Sequence, residues 1–161
     1  SNVATLAGHV TVEDRAVIGG LAAVHQFAKS AAGMIGGQAH VNQDVPPFMI
    51  VSGQPAYVFG LNSVGLARAG IPQAERSQLK KAFRILYRSG LSLQEAIATM
   101  EQELDSCEPV EHLMRFLRTA ERGILRQRKS SSSSISRKAG PSALRGGSGD
   151  RRQPFSLTMI A

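Results

Sequence analysis

Aliphatic residues recur every six positions through the start of the chain, at Leu6, Val12, Ile18 and Val24, and the spacing resumes at Ile35 and Val41. Small or β-branched residues follow four places on, at Val10, Ala16, Ala22, Ala28, Ala39 and Val45. A period of six is neither the 2 of a strand nor the 3.6 of a helix, and a unit so short cannot be a helix pair. Three hexads can instead close one triangular coil, each side a short strand with one aliphatic turned to the axis. Coils stacked at the strand spacing of about 4.8 Å then make a parallel β-helix. Between Val24 and Ile35 there are eleven positions where two hexads need twelve. The segment Ser30 to Met34 is therefore one residue short, and Gly33 is the expected place for the strain.

The repeat is expected to end at Gln43-Asp44-Val45-Pro46-Pro47, because two prolines lack the donors of a strand ladder. Irregular chain is expected from there to about Gly70. Pro72 is placed to begin a helix with Leu79, Ala82, Phe83, Leu86 and Tyr87 on its apolar face, ending at Ser89-Gly90. Ser92 with Glu95 makes a capping box for a second helix carrying Leu93, Ile97, Met100 and Leu104. Pro109 opens a third, with Val110, Leu113, Met114 and Leu117 on one side. The expected organisation is a β-helix of about two coils over 1–50, a connecting loop over 51–70, a helical domain over 71–128 and a tail over 129–161.

Charge and composition narrow the function classes. The net charge is +7, yet 129–161 supplies +5 of it and 1–128 only +2. That tail holds the serine run from Ser130 and a Gly-rich piece at Gly146-Gly147-Ser148-Gly149, and it is expected to be disordered and solvated. With Phe155 as its one aromatic, it does not read as a specific nucleic-acid binder. The longest apolar stretch, Ala16 to Val24, is nine residues, well short of the roughly 20 that cross a bilayer. One cysteine, Cys107, makes no internal disulfide, and a reducing, cytoplasmic setting is expected. The chain opens on Ser1 without a basic and apolar leader, so it is expected to be a portion or a processed product.

Several strings in order carry a resemblance. Ala4-Thr5-Leu6-Ala7-Gly8-His9-Val10, then Ile18-Gly19-Gly20, Ala23-Val24-His25-Gln26-Phe27, Gln43-Asp44-Val45-Pro46-Pro47, Gly60-Leu61-Asn62 and Leu86-Tyr87-Arg88-Ser89-Gly90 resemble the UDP-N-acetylglucosamine O-acyltransferase family that begins lipid A synthesis. The resemblance spans about 2–126. It implies a homotrimer of left-handed β-helices in the cytoplasm, or in an organelle stroma or matrix if the source is eukaryotic. It further implies transfer of a 3-hydroxyacyl group from acyl carrier protein to the sugar 3-hydroxyl, without metal or organic cofactor. His9 matches a family position contacting the acceptor sugar, Gly8 the one whose backbone N–H meets the oxyanion, and Gln26 one lining the same cleft beside His25. Asn62 and Arg68 match residues that reach uracil and phosphate from a neighbouring subunit, and Gly37 the position that limits acyl length. The general-base histidine of the family lies upstream of the hexads present here, so the chain alone is expected not to turn over. It departs from the family at Val64, where an acidic residue is usual, at Ala69, where a second basic residue is, and at Pro55, where a histidine often stands.

The chemistry can be stated without the family. A sugar hydroxyl attacking a thioester needs a base near neutrality and an aimed donor for the oxyanion. His9 and His25 lie 16 residues apart, two short of an 18-residue coil, and so fall on one side of adjacent coils. Each also has a plainer reading, as a surface histidine, and the Gly-Gly pairs as tight corners. His40 and His112 match no motif, and His9, His25 and Cys107 lack zinc-ligand spacing. Two other classes compete with the acyltransferase: a non-catalytic hexapeptide-repeat subunit that only oligomerises, and a nucleic-acid binder acting through its tail.

Overall fold

The computed structural model describes residues 3–30, 33–120 and 123–128, so the expectations for 129–161 lie outside the described residues. Seven two-residue strands open the chain: β1 (Thr5–Leu6), β2 (Thr11–Val12), β3 (Val17–Ile18), β4 (Ala23–Val24), β5 (Lys29–Ser30), β6 (Met34–Ile35) and β7 (His40–Val41). They pair in parallel as three faces of a triangular coil, β1-β4-β7, β2-β5 and β3-β6. Thr5 sits over Ala23 and Thr11 over Lys29, an 18-residue step, whereas Val17 sits over Met34 and Ala23 over His40, a step of 17. The short coil is thus real, and the ladder is back in register by Gly33, whose carbonyl accepts from the Val17 N–H at 2.8 Å.

The hexad aliphatics fill the axis where a coil lies on both sides. Val24, Ile35 and Val41 are at most 3% exposed, while Leu6 and Val12, covered from one side, are 44% and 41% exposed. Corners fall at regular intervals, and their second residue takes left-handed backbone: His9, Arg15, Leu21, Phe27 and Gln38 all have φ between 58° and 63°. None is glycine, so the αL cost that most side chains incur is accepted at each corner in return for the stacked ladders. The glycines solve a different problem. A Cβ on Gly19 would lie 2.4 Å from the Gly37 nitrogen of the next coil, so backbone there touches backbone.

Two expectations are corrected. The repeat does not stop at Pro46-Pro47: Val45 still bridges to Ser30, and β8 (Met49–Ser52) continues the third face, Met34 pairing with Ile50. Pro47 occupies the corner with Phe48, where no ladder donor is demanded, so the prolines mark a turn and not an end. Nor is 51–70 irregular. Strand β9 (Tyr57–Leu61) returns antiparallel to β8 across a bulge, and a short helix α1 (Ser63–Arg68) follows. The Tyr57-Val58-Phe59 run had the composition of a strand; its partner is chosen by tertiary contact, which no short period announces.

Helices α2 (Gln73–Arg88), α3 (Leu93–Glu103) and α4 (Glu108–Arg118) are the last named elements. Pro72 caps α2, and Leu79, Ala82 and Phe83 are buried on it. In α3 the Ser92 hydroxyl accepts from the Glu95 N–H and the Glu95 carboxylate accepts from the Ser92 N–H, the capping box read from the sequence. Val110, Leu113, Met114, Phe116 and Leu117 of α4 join Met100, Leu79 and Leu66 in one apolar cluster. Two contacts tie α4 to the coils: His112 Nε2 lies 2.7 Å from the Glu13 carboxylate, and Lys29 Nζ donates to the Thr119 carbonyl at 2.9 Å. Past α4 the chain returns to the coils, where Asp44 bridges to Ile124 and Leu125 is buried.

Candidate functional site

The edge between the first and second faces carries the densest polar chemistry. Corner Gly8-His9 lies under corner Gln26-Phe27, 18 residues later, as the coil step requires. Their backbones join where the Phe27 N–H donates to the Gly8 carbonyl at 3.2 Å, and their rings stack, His9 on Phe27, with centroids 5.0 Å apart and planes 20° from parallel. His25 ends the strand before this corner, its N–H donating to the Val41 carbonyl at 2.8 Å. Its Nδ1 lies 3.2 Å from the Gln26 carbonyl; the tautomer that donates through Nδ1 leaves Nε2 as a free acceptor. Gly8, His9, His25 and Gln26 are all exposed. Among the described residues nothing accepts from the Gly8 N–H, and the space over its α-carbon is open. A backbone donor on the same edge as two imidazoles and an amide is the chemistry that holds an oxyanion and a polyol.

The remaining candidates stand on the other two edges. Asn62 caps α1, its Oδ1 accepting from the Gly65 N–H at 2.9 Å, which leaves the Nδ2 group to donate outward. Arg68 is exposed in the last turn of that helix. Gly37 lies at the corner between the third and first faces, where an added Cβ would come within 3.2 Å of the Gly20 carbonyl. Beside it the loop between β8 and β9 is pinned by Gln54 Nε2, which donates to the Gln38 carbonyl at 2.6 Å. The sequence-derived residues therefore occupy three edges of the triangle. The structure groups Gly8, His9, His25 and Gln26, and sets Asn62 with Arg68, and Gly37, apart from them.

His112, left without a role by its sequence context, is a structural tie: besides Glu13 it meets the Phe48 ring edge-on, centroids 5.5 Å apart. Phe27 is the residue that sequence reasoning missed. Its 18-residue offset from His9 was the available signal, since equal positions in successive coils must stack.

Known proteins supply the context. The family model described as UDP-N-acetylglucosamine O-acyltransferase, domain 2, matches residues 44–125. An acyl-[acyl-carrier-protein]–UDP-N-acetylglucosamine O-acyltransferase of Verminephrobacter eiseniae is 48% identical over 132 residues, covering 78% of this chain and 50% of that protein. One of Gloeothece citriformis is 45% identical over 118 residues, covering 73% and 42%. Among solved structures, the UDP-N-acetylglucosamine acyltransferase of Bacteroides fragilis superposes with a TM-score of 0.76 at 32% identity, covering 78% of this chain and 49% of that one. The Arabidopsis UDP-N-acetylglucosamine acyltransferase gives 0.73 at 36%, covering 78% and 47%. The chain spans about half the length of the curated relatives it matches.

Proposed function

The chain belongs to the UDP-N-acetylglucosamine O-acyltransferase family, and from that premise we propose that it forms part of an enzyme that moves a 3-hydroxyacyl group from acyl carrier protein to the 3-hydroxyl of UDP-N-acetylglucosamine. The observation that carries this reading is the exposed edge of Gly8, His9, His25 and Gln26, where the Gly8 N–H meets no acceptor among the described residues. In the transfer the sugar hydroxyl attacks the thioester carbonyl, the carbonyl oxygen becomes an oxyanion, and the carrier's thiolate leaves as the ester forms. The Gly8 N–H is the donor to that oxyanion, His9 and His25 hold the sugar, and Gln26 lines the cleft. Asn62 and Arg68 engage the nucleotide and Gly37 sets acyl length. The homotrimer of left-handed β-helices that the family resemblance implies would bring edges of neighbouring copies to one substrate. No metal or organic cofactor takes part, the protein is cytoplasmic, and the general base comes from outside this stretch of sequence.

The test has two parts. Acyl transfer by this chain with acyl carrier protein and UDP-N-acetylglucosamine is expected to be undetectable, since loss of a base alone costs about 10²–10⁴-fold. Binding of the sugar nucleotide is expected to persist and to weaken in His9→Ala. Turnover near that of a full-length relative, abolished by His25→Ala, would instead make His25 the base. A second reading, an oligomerisation subunit without catalysis, draws on the outward apolar residues Val17 and Met34, 53% and 41% exposed on adjacent rungs of the third face. It requires that no sugar nucleotide bind.

A further inference from the structure

The three faces of the coil stack are not equally built. The first carries three strands and the third four, while the second is β2 with β5, continued below by the single bridge from Ser30 to Val45. Ser30 stands six residues after Val24, where the count puts the next axis side chain, and it pairs with Val12 above and Val45 below. It is 1% exposed, and its hydroxyl has no hydrogen-bond partner among the described residues. An unpaired hydroxyl between two valines weakens the rung twice, by the desolvation of its oxygen and by the branch that a valine would have placed there. The ladder is also thin at this point. On the first face the Ala23 and His25 N–H groups donate to the Ala39 and Val41 carbonyls of the next coil, whereas the Lys29 N–H donates to the Asp44 carboxylate at 2.9 Å. A side chain stands there in place of a rung.

We propose that β5 is a weak rung that opens locally, and that a ligand on the edge of His9 and Phe27 holds it shut. The corner Gln26-Phe27 leads directly into β5. Phe27 reaches the coil above through its N–H, which donates to the Gly8 carbonyl at 3.2 Å, and through its ring on His9. When β5 leaves the ladder, the corner is held from the first face alone, and Phe27 is free to draw away from His9. A ligand that touches both corners binds the closed arrangement and not the open one, so it shifts the population towards closure. Ser30 is thereby a positioning residue, tuning the edge without touching what binds there. For the identity of the ligand the coupling rests on the acyltransferase reading, whereas the weakness of β5 stands without it.

Amide hydrogen exchange of the full chain, read residue by residue by NMR, tests both parts. The Lys29 amide and the Val45 amide, which donates to the Lys29 carbonyl, are expected to be protected about tenfold less than those of Ala23 and His25. Ser30→Val, which fills the axis, is expected to raise protection at Lys29 and Val45 about tenfold or more, as removal of an unpaired buried hydroxyl implies. Ser30→Ala removes the hydroxyl without adding bulk and is expected to act in the same direction, so a valine too large for the rung does not decide the result. UDP-N-acetylglucosamine at about ten times its Kd is expected to raise protection at the same two amides about tenfold, the factor by which a ligand excluded from the open form suppresses opening. Equal protection across β4 and β5, or no gain in either Ser30 variant, overturns the weak rung. A sugar nucleotide that perturbs His9 and leaves exchange at Lys29 and Val45 unchanged overturns the coupling and keeps the acyltransferase reading. One that perturbs none of the three overturns the coupling together with that reading of the edge.

Discussion

Two glycines, one in the coils and one in the helical part, are both crowded but not by the same thing. A Cβ on Gly19 would meet the Gly37 nitrogen at 2.4 Å and the Gly36 carbonyl carbon at 2.7 Å, whereas a Cβ on Gly65 would meet the Asn62 side-chain amide, also at 2.4 Å. In the coils a rung's neighbour is the backbone of another rung, fixed on both sides by parallel pairing. In the helices a neighbour is a side chain, which can turn away. Equal distances should therefore carry unequal penalties. Gly19→Ala is expected to cost about 3 kcal/mol, the upper part of the overpacking range, and Gly65→Ala about 1 kcal/mol, the value of the N-cap it displaces. Gly8→Ala, with nothing within 4 Å of the added carbon, is the control and should change denaturant stability by less than about 0.5 kcal/mol. Equal losses at Gly19 and Gly65 would break the distinction.

The same contrast explains how far the sequence could be read. In a coil stack a residue's place follows from its number modulo the repeat, so the axis role of Val24, Ile35 and Val41, the missing residue before Met34 and the shared edge of His9 and His25 were all available from spacing. The helices were legible for another reason: the Ser92–Glu95 box and the apolar faces of α2 and α4 are local signals. What failed was the stretch between. Pro46-Pro47 looked like a stop because a proline's position within a repeat, side or corner, decides its meaning. β9 was invisible because an antiparallel return answers only to its partner. Within the site, position gave the edges and, through the 18-residue offset, the pairing of Phe27 with His9, but not the near-parallel stacking of their rings.

A smaller effect is expected at the α3 cap, and it tests whether a local signal stays local. The Ser92 hydroxyl, and then its backbone N–H, hold the Glu95 carboxyl below its ordinary value of 4.5. A carboxylate with a lowered folded value contributes stability that is present above its unfolded value and lost as pH falls through the folded one. Ser92→Ala should therefore raise the Glu95 midpoint towards 4.5 in an NMR titration. It should lower the thermal midpoint at pH 7 more than at acid pH, where wild type has itself lost the contribution. A drop independent of pH would place the role of Ser92 in the backbone cap alone. Perturbed shifts in the coils would show that the two regions are not energetically separate.

The smallest effect is expected at the stacked corner, where the rigid coils meet an exposed side chain. Phe27 is 50% exposed, so its removal opens no cavity. Its ring does one visible thing: it lies 5.0 Å from the His9 imidazole and nearly parallel to it, limiting the rotation of a side chain that would otherwise be free on an open edge. An aromatic pair is worth about 0.5–1.5 kcal/mol beyond its buried area, and exposure places this one near the lower end. Phe27→Leu should then weaken UDP-N-acetylglucosamine by about twofold, the factor that the lower end of that range corresponds to, with Phe27→Tyr restoring it. The discriminating measurement is the cycle with His9→Ala. If Phe27 acts by holding the imidazole, Phe27→Leu has no further effect once His9 is gone, because the two share one interaction. Additive losses would mean that Phe27 touches the ligand itself, and the stacked ring would then be a wall of the sugar site rather than a support for His9.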